Sequence, residues 1–293
     1  MPRQPLAEVF GFPIDSFAPE AERYRAKRLC PYNNCVPNCT KDKAKDPLGV
    51  CSVVDAGHVV VTCPIRFRQD WIIADDAAAF FFPEKARWTS LTEVRLEDKH
   101  GRSAGNVDVV LVSYDDRGRV VDFGAIEVQA VYISGNVRRP FEHYMEDPKG
   151  RHAMDWVGQP NYPRPDFLSS SRKRLAPQLI YKGGMLKSWG KKLAVVVDCH
   201  FFANLPELPE TSQQAADIAW LIYELSYDPV QRRHGLTAVR VAYTAFAPAL
   251  ERITTTEPGV LAEFFDRLQT KLDEKLEGGY PPDAPTLLDE VQE

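Results

Sequence analysis

The chain has 293 residues, of which 44% are hydrophobic, so it is long enough to bury a substantial core in one large domain or two small ones. It has no run of about 18 apolar residues and no apolar leader after Met1, which argues against a membrane protein and predicts a cytoplasmic protein with reduced thiols. The formal net charge of −5 argues against a uniformly basic surface, although the sign of the charge varies along the chain.

Five of the six cysteines lie between Cys30 and Cys63, in a polar stretch rich in Pro, Asn, Lys and Asp. Such a stretch has too little apolar content to fold alone, and clustered cysteines in a reducing compartment indicate a bound metal ion. Four thiolates around one ion would provide the missing folding energy. The intervals of 9, 12 and 12 residues between Cys30, Cys39, Cys51 and Cys63 differ from the C-x₂-C pairs of common zinc sites, and scattered reduced cysteines are the alternative.

Residues 107–113 and 120–128 are dominated by β-branched side chains, and residues 115–119 between them are typical of a turn. This pattern predicts an antiparallel hairpin. If the turn centres on residues 117 and 118, the numbers of paired residues sum to 235, which places Asp108 opposite Glu127. Their Cβ atoms are then roughly 5 Å apart, a distance that one cation bridges.

Gln129 shares a strand face with Glu127, because side chains in a strand repeat every second residue. A further acid, Glu93, lies upstream in residues 91–96. Carboxylate oxygens suit Mg²⁺, which lowers the pKa of a bound water and stabilises charge on a scissile phosphate. An unpaired carboxylate is costly in an apolar strand, so Glu127 favours a cation site over the alternative of an ordinary hairpin with solvated acids.

These residues resemble the NotI-like type II restriction endonucleases of the PD-(D/E)XK nuclease superfamily. The resemblance includes an N-terminal four-cysteine module, carried here by Leu29-Cys30-Pro31-Tyr32, Asn38-Cys39-Thr40-Lys41, Leu48-Gly49-Val50-Cys51 and Thr62-Cys63-Pro64-Ile65-Arg66. It also includes a glutamine at the position of the superfamily's usual lysine, here Gln129 in Ile126-Glu127-Val128-Gln129-Ala130. The similar region runs from about Glu8 to about Asp198.

The resemblance implies that Asp108 and Glu127 bind Mg²⁺, that Gln129 helps to position the attacking water, and that Glu93 is an auxiliary acid. It also implies one structural iron per chain, held by the four cysteines in a rubredoxin-like geometry. Zinc accepts four thiolates as well, so the sequence leaves iron and zinc open. Cys39 is preferred to Cys35 as the second ligand because Asn-Cys-Thr-Lys resembles the family's second ligand segment, and the exchange of these two cysteines stays open.

Residues 138–192 contain twelve Lys or Arg against five Asp or Glu, whereas residues 251–293 contain eleven acids against four bases. DNA binding depends on a local basic surface, so the middle segment is expected to bind phosphates, with a solvated helix face as the alternative. Residues 131–171 predict a long functional loop. Arginine commonly reads guanine, so the candidates for base contacts are Arg138, Arg139, Arg151 and Arg164. Lys182 and Gln178, four apart on one helical face, either contact phosphate or are surface polar residues.

Serine-rich residues predict a helix from Ser171, followed by a core strand from residue 193 that holds Cys199 as a small buried side chain. Residues 211–225 predict an amphipathic helix, residues 236–246 a strand, and Pro258 the start of a helix to about Glu277. This order indicates an α/β fold with a mixed sheet flanked by helices, which suits a restriction-endonuclease-like core. We expect an N-terminal segment with the metal module (1–90), a nuclease core (91–250) and a C-terminal helix with an acidic tail (251–293).

The leading hypothesis is a homodimeric, Mg²⁺-dependent type II restriction endonuclease that cuts both strands of double-stranded DNA at a short palindromic site. One alternative is a non-catalytic, metal-stabilised DNA-binding protein in which the cysteine module contacts DNA. The other is a DNA-repair nuclease of the same superfamily. The recognition sequence, the cut position and the overhang depend on loop geometry, which the sequence does not specify.

Overall fold

A computed structural model describes residues 4–33, 36–43 and 45–278 of the chain. They form two compact units that divide after Thr254. Cys35, the alternative ligand, and the predicted loose tail beyond Gly278 lie outside the described residues. The first unit therefore contains the predicted hairpin and the four preferred cysteine ligands.

All strands within the described residues belong to the first unit. They are β1 (Leu6–Val9), β2 (Phe12–Pro13), β3 (Asp42–Lys43), β4 (Asp46–Pro47), β5 (Val50–Asp55), β6 (His58–Val61), β7 (Trp88–Glu97), β8 (Ser103–Tyr114), β9 (Val120–Gln129), β10 (Tyr132–Ser134), β11 (Arg164–Asp166), β12 (Leu193–Asp198), β13 (Ile218–Asp228) and β14 (Arg233–Thr244).

The helices of the first unit are α1 (Pro19–Lys27), α2 (Ile72–Phe81), α3 (Arg138–Glu146), α4 (Pro148–Arg151), α5 (Phe167–Ser170), α6 (Ala176–Gln178), α7 (Gly184–Ser188), α8 (Cys199–Ala203) and α9 (Phe246–Thr254), and the second unit contains α10 (Leu261–Gly278). A 3₁₀ segment spans Pro64–Trp71. Two π-helical turns, Ser171–Leu175 and Leu179–Gly183, join α5, α6 and α7 into one continuous helix, which we call the 167–188 helix.

A six-stranded sheet in the order β14-β13-β12-β9-β8-β7 organises the first unit. Its inner strand β12 is parallel to both β9 and β13, whereas the other neighbouring strands are antiparallel. All residues of β12 are buried, as expected for a parallel strand covered on both faces. The predicted mixed sheet flanked by helices is confirmed.

Alternate side chains of this sheet face two different helical layers. The even-numbered residues of β9 and β12, such as Ile126 and Val196, pack with α2 in one hydrophobic cluster. The odd-numbered ones, such as Val195, pack with Leu179 and other residues of the 167–188 helix and with α9 in a second cluster. Glu127 is odd-numbered, so its side chain projects toward the 167–188 helix.

Residues 211–225 include a strand where the sequence predicts a helix, and that prediction is wrong. Ile218, Leu221, Ile222 and Leu225 have helical spacing, but the first six residues of β13 are all buried in one continuous apolar run. A strand covered on both faces has such a run, because both sets of alternating side chains meet a helical layer. The strand predicted at residues 236–246 is confirmed as β14.

The segment predicted as a loop, residues 131–171, is instead largely structured. It contains α3 and α4 between the short antiparallel strands β10 and β11. The helix predicted from Ser171 begins earlier, at Phe167, where the carboxylate of Asp166 accepts a hydrogen bond from the N–H of Ser169. Cys199 does not lie in a core strand: it is half-buried and begins α8.

The strands β8 and β9 form the predicted hairpin. Residue pairs from Val109–Ile126 to Ser113–Asp122 all have numbers that sum to 235, so the predicted register is confirmed. On the face of β9 opposite to the side chain of Glu127, a Cβ atom at Gly124 would lie 2.4 Å from the ring of Phe81. The aromatic end of α2 therefore packs directly on the backbone of β9.

A buried ion pair connects the N-terminal sheet, ordered β2-β1-β5-β6, to the six-stranded sheet. The side chains of Glu8 in β1 and Arg66 are fully buried, and Arg66 Nε lies 3.0 Å from Glu8 Oε2. Arg66 also donates to the carbonyl oxygen of His234 in β14 at 2.8 Å, while Ser52 Oγ donates to Glu8 Oε2 at 2.8 Å. These hydrogen bonds compensate both charges and join β1, β5 and β14 at one point.

The helix α10, described by itself, confirms the helix predicted after Pro258. It is amphipathic, and its apolar stripe is exposed: Leu261, Phe264, Phe265, Leu268, Leu272 and Leu276. Spacings of three and four residues align these side chains on one helical face. Within residues 4–33, 36–43 and 45–278, no helix has the length and apolar content that crossing a membrane requires.

Candidate functional site

The acids predicted to converge lie on the two strands of the β8–β9 hairpin. Asp108 precedes Val109, which pairs with Ile126, and Asp108 Oδ2 accepts a hydrogen bond from the N–H of Val128 at 2.8 Å. Glu127 lies between Ile126 and Val128 on β9, so Asp108 and Glu127 are neighbours across the hairpin. Asp108 is half-buried, whereas Glu127 is only 1% exposed. The structure therefore brings the two predicted metal ligands together.

Lys182 of the 167–188 helix is the direct partner of Glu127. Its Nζ lies 2.9 Å from Glu127 Oε1 and 2.8 Å from Oε2, and Lys182 is only 8% exposed. From the sequence, Lys182 is expected to contact phosphate or to be a surface polar residue. The structure instead buries it beside the two acids, in an ion pair with one of them.

Burial raises the pKa of both carboxyl groups in this cluster. The pKa of Glu127 is raised to about 7, mainly by loss of solvent and then by the charge of Asp108, while Lys182 opposes the rise. The pKa of Asp108 is also raised by burial, and the nearby charge of Glu93 adds to the effect, against the N–H of Val128 and the charge of Lys182. Both carboxyl groups thus have a disfavoured charged form, which a bound cation would stabilise.

Gln129 and Glu93 lie on the strands that carry or flank these acids, and they differ in exposure. Gln129 is 4% exposed on the same face of β9 as Glu127, and its Nε2 donates to the carbonyl oxygen of Ala130 at 2.8 Å. Glu93 is exposed on β7, opposite Asp108 in the strand register. Its φ of 56° lies in the left-handed region, which is rare for a residue with a long side chain. The hairpin and β7 thus collect all four predicted catalytic residues.

Arg138, predicted to contact bases, is engaged by acids of the cysteine region. Its Nη2 lies 2.6 Å from Asp42 Oδ2, and its Nη1 lies 2.9 Å from Asp46 Oδ2. Asp46 also pairs with Arg28 at 2.6 Å. Arg138 therefore connects α3 to the β3–β4 hairpin within the chain.

The other three candidate arginines lie close to aromatic or acidic side chains on or near the surface. Arg139 is exposed and stacks over Trp156, while Arg164 is exposed on β11 beside an aromatic ring. Arg151, at the end of α4, forms an ion pair with Glu146. None of these contacts, all within the described part of the chain, places an arginine in the acid cluster itself.

The four preferred cysteine ligands come from two backbone-paired segments. In the first, Leu29 and Asn38 form an antiparallel bridge, and the N–H groups of Cys30 and Cys39 donate to the carbonyl oxygens of Pro37 and Arg28, so the two cysteines lie on a diagonal of the paired segment. In the second, the N–H of Cys63 donates to the carbonyl oxygen of Cys51 at 3.2 Å, so the end of β6 lies against β5. The irregular spacing of the four cysteines in the sequence therefore follows from two paired segments, each of which carries one cysteine on each of its two paired stretches.

Three of these cysteines are buried and Cys30 is half-buried. Burial raises the pKa of Cys30 to about 11, with smaller contributions from Cys63 and Cys39. Burial also raises the pKa of Cys51, to which Cys63, Glu8 and Cys30 add. Sulfur atoms are the donors that iron and zinc accept in a tetrathiolate site, and the assignment of one ion to these four cysteines stays a prediction.

A separate group at the end of β12 also offers possible metal ligands. Ligand-type atoms of Asp198, Cys199 and His200 lie within 4.8 Å of one another. The carboxylate of Asp198, however, accepts hydrogen bonds from the N–H of Val61 at 3.0 Å and of His200 at 2.9 Å. These bonds cap α8 and anchor β6, which accounts for a buried carboxylate at this position.

The partnership of Lys182 with Glu127 is the feature that sequence reasoning misses. Leu175, Leu179 and Leu186 of the 167–188 helix are buried, and Lys182 lies in the same stripe at helical spacing. A lysine inside an apolar stripe requires a buried anion, because an unpaired charge there is costly. That stripe is the signal in the sequence that could have identified the pair, and Glu127 is the matching acid.

Of the comparisons with known proteins, one identifies a family. A family model described as restriction endonuclease NotI matches residues 8–236, more than three quarters of the chain. The matched region includes the acid cluster, the four preferred cysteine ligands and the 167–188 helix. None of the curated proteins compared with the chain matches it.

Proposed function

This chain belongs to the NotI family of restriction endonucleases, and from that membership we propose a type II enzyme that hydrolyses both strands of double-stranded DNA at a short palindromic site with Mg²⁺. The observation that carries the proposal is a pair of carboxyl groups at neighbouring positions of one hairpin, of which Asp108 is half-buried and Glu127 is buried. Acids at neighbouring positions of a hairpin favour a divalent cation between them, and such a cation can also bind the phosphate that is hydrolysed.

Asp108 and Glu127 would hold the Mg²⁺, because hard carboxylate oxygens are the donors that this ion prefers. When bound, Mg²⁺ supplies a Lewis acid that lowers the pKa of water and offsets charge on the phosphate. Gln129 would orient the attacking water, and Glu93 would act as an auxiliary acid beside Asp108. Hydrolysis joins the oxygen of water to phosphorus and breaks one P–O ester bond, which leaves a phosphate monoester and a hydroxyl.

DNA would be held by the basic surplus of residues 138–192. Arg139 and Arg164 are exposed, which favours them for contacts to bases, and Arg151 stays a weaker candidate because it is paired with Glu146. Arg138 is occupied by acids of the chain, so its proposed role is to hold α3 in place.

A homodimer in the cytoplasm is the assembly that we propose. A palindrome presents the same face to two subunits related by a two-fold axis, so each subunit would cut one strand. The domain boundaries that we propose are those expected from the sequence: the metal module in residues 1–90, the nuclease core in 91–250 and the C-terminal part in 251–293.

The four-cysteine module would be structural, with one iron or zinc ion held by Cys30, Cys39, Cys51 and Cys63. Its donors would be the four sulfur atoms that the two backbone-paired segments carry, and the surrounding segment is polar. The ion would stabilise the module by replacing the apolar core that the segment lacks.

We expect the purified protein to contain about one iron or zinc ion per chain and to unfold when the ion is removed, because ligand binding and folding of the module are linked. Elemental analysis and circular dichroism before and after chelation measure both effects. Cys51→Ala should lose the ion, whereas Cys199→Ala, outside the module, should keep it. A well-folded protein without metal would contradict the assignment, and a ferric-thiolate absorption band would identify iron.

The proposed activity is tested with supercoiled plasmid and with undamaged genomic DNA, each incubated with and without Mg²⁺. We expect linear plasmid and discrete genomic bands in the presence of Mg²⁺ only. Binding without any product would favour the non-catalytic DNA-binding protein. Nicking or cutting that requires a mismatch or a flap would favour the repair nuclease. Sequencing the ends of the fragments gives the recognition site, the cut position and the overhang.

A further inference from the structure

We propose that Lys182 is the cationic group of the nuclease site, supplied by the 167–188 helix to hold Glu127 and to contact the scissile phosphate. The inference rests on the proposed function and adds a residue to it. It is carried by the position of Lys182 Nζ, which lies 2.9 and 2.8 Å from the two carboxylate oxygens of Glu127. Both partners are buried, so this contact is not an incidental surface pair.

The number of hydrogen-bond donors on the ammonium group indicates a second partner. An ammonium group has three N–H donors and no acceptor. Two donors reach Oε1 and Oε2 of Glu127, which leaves one for an acceptor on the other side of the nitrogen. A phosphate oxygen next to Glu127 is an acceptor that suits this donor, because a charged donor and a charged acceptor form a strong hydrogen bond.

The site needs a fixed positive charge that β9 does not supply. Gln129 is neutral, and its Nε2 is already bound to the carbonyl oxygen of Ala130. Asp108 and Glu127 are negatively charged, and the phosphate beside them gains further negative charge when water attacks it. A preorganised cation beside these acids stabilises the developing charge without rearrangement. Lys182 has this position because its ammonium group is already in contact with Glu127.

The fold fixes Lys182 through its neighbours on the helix and on β8. Leu179 and Leu186, on either side of it in the helical stripe, are each 1% exposed. The carbon chain of Lys182 passes close to β8, where a Cβ atom at Gly105 would lie 3.4 Å from its Cε. Lys182 also lies in the π-helical turn Leu179–Gly183, and such turns occur frequently at functional sites. A rigid, buried support of this kind is what a preorganised site requires.

The competing explanation is that Lys182 only compensates the buried charge of Glu127. The two roles differ in their effect on metal binding. If Lys182 only supports the fold, its loss should weaken metal binding and cleavage together. If it acts on the phosphate, its loss should slow cleavage while the affinity for a divalent ion stays the same or increases, because a positive charge has been removed.

The test compares Lys182→Met with Lys187→Met, a control on the same helix whose exposed side chain pairs with Asp217. Calorimetry measures Mn²⁺ binding without DNA, fluorescence anisotropy measures DNA binding in Ca²⁺, and a plasmid assay measures cleavage in Mg²⁺. We expect Lys182→Met to slow cleavage at least about 100-fold, as loss of one preorganised donor does. Its Mn²⁺ affinity should be equal or higher, and DNA affinity should fall by no more than about threefold, since one phosphate contact is lost among many. The control should match the parent in all three assays.

A second variant moves the ammonium group to the neighbouring strand. Gln129→Lys, added to Lys182→Met, places a lysine on the same face of β9 as Glu127. We expect it to recover at least about tenfold of the lost cleavage rate, because the charge returns to the same site from another element. Recovery of this kind is not expected if only the carbon chain of Lys182 matters, as packing, while the Mn²⁺ affinity of Lys182→Met separates charge compensation from action on the phosphate.

The inference is overturned if Lys182→Met cleaves within about threefold of the parent, which is less than 1 kcal/mol of barrier. It is also overturned if Mn²⁺ affinity and cleavage fall together and Gln129→Lys restores neither. If Lys182→Met does not fold, Lys182→Gln, which keeps an N–H donor for Glu127 without the charge, takes its place in the same three assays: slow cleavage with unchanged or higher Mn²⁺ affinity supports the inference, and cleavage within about threefold of the parent contradicts it. Failure of the parent to cut any DNA would instead contradict the proposed function.

Discussion

Asp108→Ala and Glu127→Ala are each expected to lower DNA cleavage by at least about 1,000-fold, because removal of a carboxylate removes several kcal/mol of metal-assisted charge stabilisation. DNA binding should persist, since affinity for DNA comes mainly from basic residues elsewhere on the chain. A plasmid assay in Mg²⁺ measures cleavage, and anisotropy in Ca²⁺ measures binding. Either variant cutting at the rate of the parent would show that the site is assigned to the wrong residues.

Two further variants separate loss of chemistry from loss of fold. Glu127→Ala leaves the buried ammonium group of Lys182 without its partner, which is itself destabilising. Glu127→Gln keeps an oxygen acceptor for Lys182, so its denaturation midpoint should be closer to that of the parent than the midpoint of Glu127→Ala. It should still fail to cut DNA. Asp122→Asn is the matched control on the same strand, because Asp122 pairs with Lys191 at the surface, and it should retain cleavage.

Arg66→Met is expected to destabilise the protein by roughly 3–5 kcal/mol, because it leaves Glu8 as a buried, uncompensated charge. The same change removes the hydrogen bond to the carbonyl oxygen of His234 and thus one connection between the two sheets. Chemical denaturation followed by circular dichroism measures the loss as a lower midpoint. The effect should appear without any change in the acid cluster, which belongs to other strands.

The control for Arg66→Met is Lys149→Met. Lys149 pairs with Glu22 at the surface, with both side chains largely exposed, so its loss should leave the denaturation midpoint nearly unchanged. Similar midpoints for both variants would mean that the buried pair contributes no more than an exposed one. Glu8→Gln provides a second check, because it leaves Arg66 as the uncompensated charge.

The hairpin and its acids can be predicted from the sequence because they depend on local rules. Alternation places Glu127 and Gln129 on one face, and a turn centred at residues 117 and 118 fixes the register across the strands. Both rules use residues close in sequence, so they suffice to set Asp108 beside the correct position of β9. The order of elements likewise indicates a mixed sheet flanked by helices.

Features that depend on distant contacts are harder to predict. The residues of β13 have the spacing of a helix, and only the helical layers on both sides of the sheet explain their burial as a strand. Arg138 looks free to contact DNA in the sequence, but Asp42 and Asp46 approach it from a distant segment. Lys182 looks like a surface residue because its partner lies 55 residues earlier in the chain.

The contact between Gly124 and Phe81 bears on the alignment of the acids. A shift of β9 by one residue along β8 would bring Phe123 or Ala125 to the place where the aromatic ring lies against bare backbone, and neither side chain fits there. The same slip would turn Glu127 away from Lys182, because every side chain of the strand would change faces. The close approach of Phe81 to Gly124, on the other face of the sheet, thus disfavours a shift of register and keeps Glu127 in contact with Lys182.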